Sequence, residues 1–159
     1  MAGELKVART TEEKTLVLVD DEMHHLSWMV DYFYKNGLEV IPIDNANDAV
    51  SQIEKEIYRA LVIDLNIPLS PPLDKSALDL GPVYARYPGL YVARMARNRG
   101  YRDRQVIIYS VHRDPDVVRE VGILGCTYIL KGRPKEIKLE LEAVLSFDPT
   151  KGGIEPSQF

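Results

Sequence analysis

Leu16-Val17-Leu18-Val19-Asp20-Asp21 is a short apolar run that stops on two carboxylates, and Leu61-Val62-Ile63-Asp64 repeats the pattern. The chain does it twice more: Val106-Ile107-Ile108-Tyr109 stops on Ser110, and Tyr128-Ile129-Leu130 stops on Lys131. Runs of this length, separated by helix-length amphipathic stretches, read as buried parallel strands. A parallel α/β sheet binds its ligands just past the carboxyl ends of its strands, so the polar residue that closes each run falls where a site would be. Any single instance is ordinary core with a polar exit. Three carboxylates, a hydroxyl and an ammonium at four exits make one crevice of complementary chemistry.

Between the runs, the sequence alternates regularly. Thr15–Val19 is the first strand, and Met23–Lys35 is a helix with Leu26, Met29, Val30 and Phe33 on one face, closed by Asn36-Gly37. Glu39–Ile43 is the second strand, Asp44 or Asn45 caps a helix reaching about Lys55, and Ala60–Asp64 is the third strand. Leu90–Asn98 is a helix stopped at Gly100, and Gln105–Ser110 is the fourth strand. Asp114-Pro115 opens a helix lined by Val117, Val121 and Leu124, Thr127–Leu130 is the fifth strand, and Pro134 starts a last helix carrying Ile137, Leu141, Val144 and Leu145 inward to Ser146. Five β/α units in sequence predict an α/β fold, doubly wound, with right-handed crossovers and helices on both faces of a parallel sheet.

The chain of 159 residues suits one domain, expected over 15–146, with an N-terminal arm at 1–14 and a tail at 147–159. With 45% hydrophobic and 28% charged residues it reads as a soluble globular protein, and no apolar run approaches the roughly 20 residues a membrane helix needs. The single cysteine, Cys126, allows no internal disulfide, which with the polar start of the chain points to the cytoplasm. A formal charge of −4 argues against nucleic acid as a partner of the whole chain. Arg86, Arg94, Arg97, Arg99, Arg102 and Arg104 still form a local basic stretch, read first as solvated helix surface and second as contact with an acidic partner.

Val19-Asp20-Asp21-Glu22, Asp64-Leu65-Asn66-Ile67-Pro68, Tyr109-Ser110 and Tyr128-Ile129-Leu130-Lys131, in that order, resemble the receiver domain of bacterial two-component response regulators. The resemblance covers most of Thr15 to Ser146. It implies a flavodoxin-like five-stranded sheet in the order 2-1-3-4-5, an order that alternation by itself does not select. It also implies the chemistry. Asp64 matches the phosphoacceptor; Asp20, Asp21, Asp64 and the backbone carbonyl of Asn66 match the shell of a Mg²⁺ ion. Lys131 matches the lysine that pairs with a phosphoryl oxygen, and Ser110 and Tyr128 match the hydroxyl and aromatic of the conformational switch. The implied partners are a histidine kinase or histidine phosphotransfer protein upstream and an unidentified protein downstream, with homodimerisation possible. Physical chemistry is consistent with this, because a carboxylate can attack phosphorus if positive charge offsets the repulsion of two anions.

Two departures from the family stand out. Lys131 is followed by Gly132-Arg133-Pro134, not directly by proline, which alters the loop behind the lysine. Leu65 to Pro88 separates the third strand from the next helix by 24 residues, where compact domains use about two to six. Five prolines, at 68, 71, 72, 82 and 88, stiffen this stretch, and Leu73–Leu80 has the composition of a short helical turn. It reads as an insertion at about 69–88, either packed over or beside the Asp64 pocket, where it tunes phosphate lifetime or kinase docking, or a solvent-facing excursion. Gly89 resembles the glycine that precedes the family's third helix. Tyr84, Tyr87 and Tyr91 anchor the insertion or form part of a partner face.

Two other functions compete. A pseudo-receiver would scaffold proteins without being phosphorylated. A phosphatase of the haloacid-dehalogenase kind would want a second aspartate two residues past the nucleophile, where Asn66 cannot protonate a leaving group. His24-His25 are rejected as a metal pair because adjacent helical residues point apart. His112 is read as pocket lining or solvated surface, and Cys126 as a small buried hydrophobe.

Overall fold

The computed structural model describes residues 8–111 and 113–151, except the side chains of residues 103, 134 and 151. His112, the first half of the predicted arm and the end of the predicted tail lie outside the described residues. Five strands form one sheet: β1 Glu12–Val19, β2 Glu39–Ile43, β3 Tyr58–Ile63, β4 Val106–Ser110 and β5 Thr127–Leu130. Their order is β2-β1-β3-β4-β5 and every pairing is parallel. The doubly wound topology expected from the sequence is therefore the observed one.

Alternation along the strands builds two cores. Val17, Val19, Leu61, Ile63, Val106 and Ile108 point to one side, where α2 Ala46–Lys55, α5 Pro88–Arg99 and α6 Pro115–Leu124 contribute Ile53, Leu90, Ala93, Ala96, Val117 and Val121. Leu16, Leu18, Ala60, Val62, Ile107 and Tyr109 point to the other side, covered by Met29 and Phe33 of α1 Ser27–Lys35 and by Ile137, Leu141 and Val144 of α7 Pro134–Ser146. Apolar residues on both faces are what a central parallel strand requires, and they explain the unbroken apolar runs. Pro42 sits in the edge strand β2 opposite Leu18, a position a central strand would not tolerate.

Local signals set the helix ends. Asn45 caps α2 by accepting from the Asp48 N–H at 2.8 Å, an interaction worth about 1 kcal/mol. Asp114 caps α6 in the same way through the Asp116 N–H, with Pro115 in the first turn. Gly100 closes α5 with a φ of +114°, in the left-handed region that glycine enters without steric cost.

The structure also departs from the predicted boundaries. Strand β1 starts at Glu12, with a register irregularity before Leu16. Met23–Leu26 is a 3-10 turn and the α-helix begins only at Ser27. The stretch after β3 holds α3 Leu73–Leu80, over the span read as a short helical turn, and a second helix, α4 Pro82–Arg86, that the sequence reading did not include. They form because Ala77 and Tyr84 are fully buried, an apolar return that offsets the ordering of so short a pair of helices. Within the predicted tail, Asp148 is buried and accepts hydrogen bonds from the Thr10 and Thr150 hydroxyls, tying 148–150 to the start of the domain.

Candidate functional site

Register decides which side chains meet. Val19 pairs with Ile63 and Ile63 with Ile108, so Asp20 and Asp64 each stand one residue past the same level of the sheet. Ser110 pairs with Leu130, which puts Lys131 one step beyond on the neighbouring strand. At roughly 3.3 Å of rise per residue, all four side chains start within about two steps of one another along the strand direction. Main-chain bonds continue the ladder past the strand ends: the Asp20 N–H donates to Ile43 O at 3.0 Å, Asp64 N–H to Val19 O at 2.8 Å, and Lys131 N–H to Ser110 O at 3.0 Å.

The site is a compact charge cluster. Carboxylate oxygens of Asp20, Asp21 and Asp64 lie within 4.8 Å of one another; among the described residues no other group of three or more acidic, histidine or cysteine side chains converges in this way. Asp20 is 2% exposed, and its Oδ1 accepts from the Glu22 N–H at 2.8 Å. The Lys131 ammonium donates to Asp20 Oδ2 at 3.2 Å and lies 3.4 Å from Asp64 Oδ1. It also stands 5.3 Å from the centre of the Tyr109 ring, whose face favours a cation. Asp21 is exposed and Asp64 half-buried.

These contacts move the titrations. Burial is the largest influence on Asp64 and raises its carboxyl above the usual range; Lys131 pulls it down, and the neighbouring Asp20 charge pushes it up. Burial alone would lower Lys131, but the attraction of Asp64 and Asp20 outweighs it and holds the ammonium above its ordinary value. Three carboxylates against one ammonium leave the cluster short of positive charge. All-oxygen donors of this kind suit a small hard divalent cation such as Mg²⁺.

Ser110 is fully buried at the end of β4. Asn66 is exposed on the loop that leaves β3. Gly132 follows Lys131 with a φ of +89°, so glycine takes the turn that the family makes at proline, and Lys131 keeps its reach into the cluster. Tyr128 is half-buried, its hydroxyl buried without a hydrogen-bond partner among the described residues, and it lines a groove of about 620 Å³ between α6, β5 and α7 together with Val118, Leu139 and Arg133. That groove runs along the β5 edge of the sheet, and none of the three clustered carboxylates lines it.

Four supporting residues make contacts that sequence reasoning did not supply. Tyr109 reads as plain strand filling, and only the lysine above it gives it a role. Gly89 donates its N–H to Leu65 O at 2.9 Å, where α5 presses against the exit of β3. Arg86 and Tyr87 reach across to the cap of α6: the Tyr87 hydroxyl donates to Asp114 Oδ2 at 3.1 Å, and Arg86 pairs with Asp114 at 3.5 Å and Asp116 at 3.6 Å. No local pattern links residues nearly thirty positions apart.

Other candidates do not join the site. His24 and His25 lie in the 3-10 turn with their rings 4.0 Å apart, and His25 pairs with Glu22 at 3.4 Å. Cys126 is half-buried against the core. The arginine stretch is not a free basic surface. Arg97 is buried and donates to Tyr101 O, Arg99 to Glu54 O, Arg104 pairs with Glu140, and Arg94 lies over the Tyr84 ring. Tyr84 and Tyr91 are buried, so they anchor the connection after β3 instead of offering a partner face.

No protein-family model matches the sequence, and no curated protein matches it. Solved structures do match the fold. A CheY-like response regulator receiver domain protein from Methanospirillum hungatei JF-1 aligns at 18% identity over 84% of this chain and 94% of that one, with a TM-score of 0.64. The BeF3-activated N-terminal receiver domain of RstA from Klebsiella pneumoniae aligns at 17% identity over 84% and 99%, with a TM-score of 0.62. A response regulator protein from Burkholderia pseudomallei, solved with a phosphorylated aspartic acid, a calcium ion and citrate, aligns at 14% identity over 84% and 69%, with a TM-score of 0.59. The chain has the fold of CheY-like response-regulator receiver domains. Among the described residues no helix is long and apolar enough to cross a membrane.

Proposed function

We propose that this chain is a phosphoacceptor signalling module. A histidine kinase or histidine phosphotransfer protein transfers a phosphoryl group to Asp64 in a Mg²⁺-dependent reaction, and the added charge biases a two-state element after β4. One observation carries the reading: the Lys131 ammonium stands 3.2 Å from Asp20 and 3.4 Å from Asp64 beside three carboxylates whose oxygens lie within 4.8 Å. The phosphorylated aspartic acid of the Burkholderia pseudomallei neighbour and the BeF3 activation of the Klebsiella pneumoniae one support it by analogy of fold.

In the reaction, an Asp64 carboxylate oxygen forms a bond to phosphorus as the P–N bond to the donor imidazole breaks; the nitrogen keeps that electron pair. Asp20, Asp21, Asp64 and the backbone carbonyl of Asn66 would hold Mg²⁺, which would supply the positive charge that lets two anions approach. Glu22 N–H fixes the Asp20 carboxylate in place. Lys131 exchanges its carboxylate partner for a phosphoryl oxygen as a point charge, and the Ser110 hydroxyl donates to another oxygen. Movement of Ser110 toward the phosphoryl group, with Tyr128 turning behind it, carries the state to a protein partner or a second copy of the chain. Asn66 has no proton to give a leaving group, so turnover is confined to the chain's own phosphorylation and dephosphorylation.

Incubation with acetyl phosphate and Mg²⁺, followed by intact-mass measurement, tests the reading. The wild type gains the mass of one phosphoryl group, and Asp64→Asn and a Mg²⁺-free control gain none. An unmodified wild type would favour a scaffold that works without phosphorylation, and catalytic hydrolysis of a generic phosphate ester would restore the phosphatase alternative.

A further inference from the structure

The segment that leaves β3 is held at both ends. It departs from Asp64 through buried Leu65 and Ile67, then crosses to α2, where Pro68 O accepts from the Ala46 N–H at 2.8 Å. Ser70 and Asn47 exchange two hydrogen bonds, Ser70 N–H to Asn47 Oδ1 at 2.8 Å and Asn47 Nδ2 to Ser70 O at 3.0 Å. Helices α3 and α4 follow, fixed by Ala77 and Tyr84 in the core. The far end then turns to α6 and grips its first turn. The Arg86 guanidinium lies 5.5 Å from the centre of the Tyr87 ring, so each side chain positions the other before either reaches the helix.

Asp114 thus serves two groups at once. Its Oδ1 accepts from the Asp116 N–H at 2.8 Å as the helix cap, and its Oδ2 takes the Tyr87 hydroxyl and faces Arg86. Asp114 lies four residues past Ser110, on the stretch that must move if Ser110 is drawn to a phosphoryl group. We infer that Arg86 and Tyr87 form a latch that holds the N-terminus of α6 in the unphosphorylated arrangement and opposes the switch. The inference rests on the phosphoacceptor reading for what the latch opposes, but the contacts of Arg86 and Tyr87 with α6 stand without that reading. It makes the stretch after Asp64 a second link between acceptor and switch, alongside the Ser110 hydroxyl.

The size of the bias follows from exposure. Arg86 is about half exposed (52%) and Asp114 less so (19%), which puts the pair among partly screened ion pairs, so removing the latch is expected to shift the equilibrium about threefold. Double-variant Arg86→Ala/Tyr87→Phe protein is compared with wild type in two measurements on the full chain. In ligand-free protein, amide hydrogen exchange across residues 114–118 should quicken about threefold while exchange in β1 and β3 stays the same; unchanged exchange at 114–118 overturns the latch. In a titration with beryllium fluoride and Mg²⁺, the midpoint should fall about threefold; an unchanged or raised midpoint overturns its opposition to the switch. Arg86→Lys, which keeps the charge, should recover part of both effects, and its failure to do so would assign them to lost packing. Wild type that binds no beryllium fluoride defeats the phosphoacceptor reading and the opposition with it, and leaves the ligand-free exchange to decide the latch alone.

Discussion

A Cβ atom at Gly89 would stand 2.0 Å from the carbonyl oxygen of Asp64 and 2.7 Å from the Cα of Leu65. Both neighbours are backbone, so neither can swing away. The first turn of α5 therefore packs directly on the exit of the strand that presents Asp64. Gly89→Ala is expected to cost about 1–3 kcal/mol by forcing main-chain displacement, with chemical denaturation as the measurement. A variant as stable as wild type would mean that α5 can slide on β3.

Lys131 is the sole cation contacting the carboxylate cluster among the described residues. Replacing it with methionine keeps the aliphatic stem and removes the charge. The variant should lose roughly 1–3 kcal/mol of stability in metal-free buffer, because Asp20 is left buried without its partner. It should also bind Mg²⁺ more tightly than wild type, since a positive charge beside the ligand oxygens is gone. Calorimetric titration settles the second point: weaker Mg²⁺ binding would show that the ammonium organises the ligands instead of competing with the ion.

Asp64 gives a pH dependence whose sign can be worked out. Its carboxyl is raised mainly by burial, against the pull of Lys131, so the folded protein holds this proton more tightly than the unfolded chain does. The contribution to stability is complete at acid pH and is withdrawn as the pH rises through the raised native value. Asp64→Asn should accordingly be more stable than wild type at neutral pH without metal, and the gap should close as the pH falls from the raised native value to the ordinary carboxylate value. Thermal melts at stepped pH check this; a gap that widens on acidification contradicts it.

At the opposite end of the sheet the Tyr101 hydroxyl accepts from the buried Tyr58 N–H at 2.8 Å and donates to Glu56 O at 3.1 Å, and burial raises its pKa strongly. Tyr101→Phe removes the acceptor and keeps the ring, leaving a main-chain donor unsatisfied at a cost of about 1–3 kcal/mol. Since this residue is remote from the carboxylates, Mg²⁺ binding should be unchanged, which separates fold from site.

The strands and their exits were legible because a central parallel strand must be apolar on both faces, and a polar residue such as Asp64 or Lys131 then marks where burial ends. Strand order needed the resemblance, since alternation fits several orders. Helix α3 was legible as a helical turn over Leu73–Leu80, whereas α4 was obscured by its brevity and by prolines that look like breakers. Pro82 and Pro88 in fact open α4 and α5, in the first turn where a missing N–H costs nothing. The arginines were illegible for a different reason. Arg97 and Arg99 donate to main-chain carbonyls, and a carbonyl has no identity in a sequence. Arg86 and Asp114 meet only because the end of α4 is brought beside the start of α6, which no spacing rule records.

Pro42, the fourth of five residues in the outermost strand, brings no amide hydrogen to that rim. The opposite rim is Thr127–Leu130, only four residues long. Neither margin offers an incoming polypeptide a continuous ladder to extend, so crowding this protein should not drive strand-by-strand polymerisation.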